Sequence, residues 1–153
     1  MARWLAAVGC VAAAWGSAGC GPGATPLADG CTAGGPITHA LAQAPRSARL
    51  PDGTPLSQCV ANGQDDAELQ NVGLAYTSVA DALRARAEAG QTAAALQLGF
   101  LIGATRRGAK RTGGVMAELQ RRIELVGGRM LDRVPPATGG ALRRGLAAGE
   151  DHG

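Results

Sequence analysis

Residues 65–90 read DDAELQNVGLAYTSVADALRARAEAG, and this stretch decides the fold. Leu69, Val72, Tyr76, Val79 and Leu83 recur at alternating steps of three and four, which puts all five on one face of a helix. Asp65-Asp66-Ala67-Glu68 has the spacing of a capping box, in which the Asp65 carboxylate accepts a backbone N–H of the first turn while Glu68 reaches back. Gly90 supplies a residue that tolerates the left-handed conformation of a helix C-cap. Start, face and stop agree, and predict a helix over 65–89, about 37 Å long at about 1.5 Å per residue.

Working towards the C-terminus, residues 92–107 are apolar on most sides (Ala93, Ala94, Ala95, Leu96, Leu98, Phe100, Leu101, Ile102), the pattern of a central, buried helix. Gly99 and Gly103 form G-x-x-x-G within it, a spacing that lets helices approach closely, and the run is too short to span a bilayer. Gly108 is expected to end this helix and Thr112 to cap the next, in which Met116, Leu119, Ile123 and Val126 again share a face until Gly127-Gly128 interrupt it. Residues 135–153, PPATGGALRRGLAAGEDHG, offer few large apolar side chains and read as a disordered tail. Alternating strand patterns are lacking, so the expected fold is all-α: a small up-down bundle of three or four helices over 65–134, with a flexible N-terminal tether and a C-terminal tail.

Working towards the N-terminus, residues 37–64 read as a loop with a short helix at Thr38 to Ala44, followed by a turn at Pro51-Asp52-Gly53. Residues 20–36, rich in Gly and Pro, read as a tether. The first nineteen residues have the layout of a secretory signal: Arg3, an apolar run from Trp4 to Trp15, then small residues. Ser17-Ala18-Gly19-Cys20 resembles the lipobox of bacterial lipoproteins, although an aliphatic residue is usual where Ser17 stands. The resemblance covers residues 1–20 and implies cleavage before Cys20, lipidation of that cysteine, and anchoring on the extracytoplasmic face of the membrane. Ordinary secretory cleavage after Ala18 or Gly19 is the competing reading.

The four cysteines bear on the same question. Cys10 leaves with the signal and Cys20 carries the lipid, so Cys31 and Cys59 remain as a pair, whereas simple secretion leaves an odd thiol. A Cys31–Cys59 disulfide closes a loop worth about 3–4 kcal/mol in the chain-entropy model.

Overall the chain has 153 residues, 46% hydrophobic and 18% charged, with a net charge of +3. The charge is uneven. Residues 60–105 hold Asp65, Asp66, Glu68, Asp81 and Glu88 against Arg84 and Arg86, a net −3, while residues 106–144 hold ten Lys/Arg against Glu118, Glu124 and Asp132, a net +7. Arg106, Arg107, Lys110, Arg111, Arg121 and Arg122 are the candidate contacts for an anionic surface, whether lipid headgroups, an envelope polymer or an acidic protein. A solvated helix face balanced by the acidic first helix accounts for the same residues. Nucleic acid is not expected as a partner, because both tryptophans lie in the signal and no stacking platform is left.

Signs of catalysis are lacking. Gly103 to Thr112 approximates a phosphate-binding loop, but Ala109 displaces the lysine and Arg111 separates it from Thr112. His39 and His152 are the only histidines and have no ligand-spaced partners, so neither a metal nor another cofactor is expected. The chain reads as a non-enzymatic cell-envelope lipoprotein, a small binding or structural module. The alternative is a secreted or periplasmic binder or regulator with a pocket near Tyr76 and Phe100, and an enzyme ranks third.

Overall fold

A computed structural model describes residues 25–63 and 65–153; the segment expected to be a signal and Cys20 lie outside the described residues. Regular structure among these residues is helical: a 3-10 turn (Asp29–Thr32), then α1 (Gly34–Leu41), α2 (Leu56–Ala61), α3 (Asp66–Glu88), α4 (Thr92–Ala109), α5 (Ala117–Leu131) and α6 (Pro136–His152). None of these helices is long and apolar enough to cross a membrane.

The expected helix at 65–89 is α3. Asp65 is its N-cap, accepting from the Glu68 N–H at 2.8 Å, and Gly90 follows it with φ of 91°. Val72, Tyr76, Val79 and Leu83 are buried and Leu69 packs at the core's edge. The greasy segment is α4, buried on nearly every side and packed against α2, α3, α5 and α6. It runs one turn's fraction past Gly108, because that glycine faces α2 rather than a turn: a Cβ there would overlap the Ser57 carbonyl oxygen and sit 2.7 Å from Val60 Cβ. Thr112 does cap the following segment, its hydroxyl accepting from the Met116 N–H at 3.3 Å, although α5 itself starts at Ala117. Gly127-Gly128 do not interrupt α5, which continues to Leu131 with Gly127 lying over Ile102.

The largest correction is at the C-terminus. Residues expected to be a disordered tail form α6, which makes the most extensive helix–helix contact in the molecule, against α4. Two G-x-x-x-G pairs meet there, Gly99 and Gly103 on α4, Gly145 and Gly149 on α6. A Cβ added at any of the four would overlap a carbonyl oxygen of the opposite helix: Leu142, Leu146, Leu96 and Phe100 respectively. The helices therefore touch backbone to backbone, and dispersion between close-packed main chains replaces the missing large side chains.

The N-terminal region also differs from expectation. Part of the segment expected to be a tether is ordered, since Leu27 and Ala28 already pack against the core and are followed by the 3-10 turn (Asp29–Thr32) and α1 (Gly34–Leu41). Ile37, Leu41, Leu56 and Val60 are fully buried, so the segment expected to be a loop with a short helix contributes side chains to the core. α1 begins at Gly34, ahead of the Thr38 start read from the sequence, and α2 was not foreseen. The turn at 51–53 is present: Arg49 and Pro55 pair as an isolated bridge and Thr54 N–H donates to Asp52 Oδ1 at 2.9 Å.

Candidate functional site

Cys31, in the 3-10 turn, and Cys59, in α2, form a disulfide with Cα atoms 5.3 Å apart, and both are fully buried. The bond ties the point where the chain enters the fold to the helix that supports α4 and α3. α2 is held further by the Tyr76 hydroxyl, which donates to the Leu56 carbonyl at 2.6 Å. Burial pushes the Tyr76 phenol well above its ordinary range. Tyr76 and Phe100 both have zero exposure and fill the core, and neither lines the two clefts described below.

The six basic residues singled out from the sequence do not form one surface. Arg106 turns inward between helices, its Nε 2.7 Å from Glu124 of α5 and its Nη1 3.1 Å from Glu150 of α6. The bond to Glu124, aided by Glu150 and opposed by burial, raises its already high pKa. Arg121 and Arg122 share Glu118 one turn back on α5, at 2.9 and 2.7 Å. Hydrogen bonds from these two guanidiniums hold the Glu118 carboxyl down at about 2. Arg107 donates through Nη1 to the Glu150 and Asp151 carbonyls at 2.8 and 3.0 Å, closing the C-terminal end of α6. Lys110 and Arg111 are exposed, with no side-chain partner among the described residues. Helix–helix pairing and local screening thus absorb Arg106, Arg121 and Arg122, leaving Arg107, Lys110 and Arg111.

Arg107 and Arg111 border a polar cleft of about 320 Å³ where the 47–58 segment meets the ends of α4 and α6. Arg49, Ser47 and Ser57 face them from the other wall, and Asp151 and His152 come from the end of α6. Ser57 Oγ donates to the Gly153 carbonyl at 2.5 Å, so α2 receives the end of α6 directly. Sequence reading found two of the basic residues but not the cleft, because its walls are about 50 residues apart from one another along the chain. The one signal that bears on it is the second G-x-x-x-G, which docks α6. Elsewhere, an apolar groove of about 390 Å³ runs between α3 and the α4–α5 connection, with Leu74 70% and Val115 66% exposed at its edge. Among the described residues no group of three or more His, Cys, Asp or Glu is placed to hold a metal ion.

No protein-family model matches the chain, and comparison with curated proteins and with solved structures finds no significant match.

Proposed function

We propose that this chain is an exported lipoprotein of the cell envelope, tethered through a lipidated Cys20, whose helical bundle centred on α4 serves as a binding or structural module and not as an enzyme. The observation that carries the reading is the buried Cys31–Cys59 disulfide. A stable disulfide belongs to an oxidising compartment, and pairing these two leaves Cys20 as the single cysteine of the chain beyond the signal without a thiol partner. Lipidation gives that remaining sulfur a role, at the position that resembles a lipobox.

The fold also bears on how the module is held. Leu27 already packs against the core, so only six residues separate it from Cys20, and the seven steps between the two reach at most about 25 Å when extended. A domain on so short a tether stays next to the headgroups. Mass spectrometry of the protein extracted from its native membrane tests the reading. The expected N-terminal peptide begins at Cys20 and carries a diacylglyceryl group; a free, unacylated N-terminus on the mature protein rejects it.

A further inference from the structure

The polar cleft holds cationic groups that the rest of the fold leaves unused. Arg49, Arg107 and Arg111 converge on it from the 47–58 segment, from α4 and from the residues just after α4. None of the three is in an ion pair among the described residues, in contrast to Arg84, Arg106, Arg121, Arg122 and Arg133. Two of them are held in place by carbonyls instead of carboxylates: Arg49 Nη1 donates to the Gly53 oxygen at 2.8 Å, and Arg107 Nη1 to the two α6 carbonyls already described. A guanidinium has five N–H donors in a rigid fork, and in each case one nitrogen is occupied, which orients the fork and leaves the others open.

A second observation comes from the same walls. Ser47 Oγ is shut off from solvent and is the one buried side-chain polar atom without a hydrogen-bond partner among the described residues. It borders the cleft. Buried hydroxyls are seldom left unpaired, because the lost solvation costs about 1–3 kcal/mol. Against three guanidinium side chains the cleft sets one carboxylate side chain, Asp151.

We propose that this cleft binds a phosphate-class oxyanion. Guanidinium forks match the paired oxygens of a phosphate. Two sources share that chemistry, a soluble phosphate and the phosphodiester of an anionic lipid. Placement brings the lipid within reach: Leu50, Pro51 and Asp52 of the loop carrying Arg49 lie beside Asp29 and Gly30, where the chain from Cys20 enters the fold. The lipid source rests on the anchor proposed above, whereas the oxyanion site itself does not.

The test uses the full chain, isotopically labelled, in nonionic micelles, and follows the Arg107 Nε–Hε and Ser57 amide signals by NMR. Inorganic phosphate is titrated against sodium chloride at matched ionic strength, and separately phosphatidylglycerol against phosphatidylcholine is doped into phosphate-free micelles. Saturable shifts with phosphate and none with chloride support the site, with Arg111→Gln weakening it about tenfold and Arg129→Gln, on the exposed side of α5, leaving it within about twofold. Shifts with phosphatidylglycerol alone support the same site with lipid as its source. No specific shift in either titration, or equal weakening by Arg111→Gln and Arg129→Gln, overturns it. An unacylated N-terminus ends the anchor reading and leaves the phosphate titration standing, so the two failures are distinguishable.

Discussion

Replacing glycine by alanine at two positions of α6 should move stability in opposite directions. In an unconstrained helix interior the substitution stabilises by about 0.5–1 kcal/mol, because alanine has less backbone entropy to lose. Gly140 meets that condition: the nearest atom to its added Cβ is the flexible Arg144 Nη1, 3.5 Å away. At Gly145 the new Cβ overlaps the Leu96 carbonyl oxygen and sits 2.8 Å from the Leu96 carbonyl carbon and 2.9 Å from the Phe100 nitrogen. Favourable carbon contacts lie at about 3.5–4.0 Å. α6 must therefore withdraw from α4 by about 1 Å, since helix backbone cannot rotate aside as a side chain does. Overpacking of this kind costs about 1–3 kcal/mol, and the propensity gain is common to both sites, so Gly145→Ala should fall below Gly140→Ala by about that amount. Urea unfolding followed by circular dichroism at constant m-value measures the difference. Equal midpoints for the two variants refute the backbone interlock and return residues 136–152 to the tail that their composition suggests.

Other consequences are read by the same kind of measurement. Replacing Cys31 and Cys59 together by alanine should lower stability by about 3–4 kcal/mol, the loop-closure value for a separation of 28 residues; a loss under about 1 kcal/mol in urea contradicts a structural role for the bond. Tyr76 is the only tyrosine of the chain. Its folded-state pKa is raised by burial, so the unfolded chain releases the phenolic proton first, near pH 10, and stability should fall as pH rises beyond that point. Absorbance at 295 nm should show no tyrosinate before the circular dichroism signal is lost, and a free titration near pH 10 in folded protein contradicts the buried hydroxyl. Arg106→Met leaves Glu124 and Glu150 facing each other without their shared cation. With the guanidinium that bridges α5 and α6 removed, the variant should unfold at lower urea than the parent, and unchanged urea midpoints refute the shared pairing.

Elements whose side chains state their own partner are legible in the sequence. α3 announces its cap at Asp65, its face from Leu69 to Leu83 and its stop at Gly90, and α4 announces its central place by being apolar all round. α6 is the reverse case. Its seventeen residues include four glycines and only Leu142 and Leu146 as large apolar groups, so propensity and hydrophobic content both argue against order. What holds it is absence of side chain on two facing helices, legible only when Gly145–Gly149 is set beside Gly99–Gly103. The disulfide was reachable by counting cysteines. The cleft was not, because Ser47, Arg49 and Ser57 carry no local pattern and acquire meaning only once α6 lies against α4.

That dependence links the interlock to the cleft. Ser57 and Arg107 hold the end of α6 through the Gly153, Glu150 and Asp151 carbonyls, so the cleft's third wall is present only while α6 is docked. Withdrawal of α6 by about 1 Å at Gly145 is comparable to the tolerance of a hydrogen bond, whose energy falls steeply outside about 2.7–3.2 Å. Gly145→Ala should therefore weaken phosphate binding under conditions where the variant is still folded, without any cleft residue being changed, and Gly140→Ala should leave it intact. Phosphate titrations of the two variants, read at Arg107, measure this coupling. Equal affinities, with the stability difference nonetheless observed, mean that Arg49, Arg107 and Arg111 gather independently of α6, and that the order of the C-terminal helix and the cleft are separate properties of the fold.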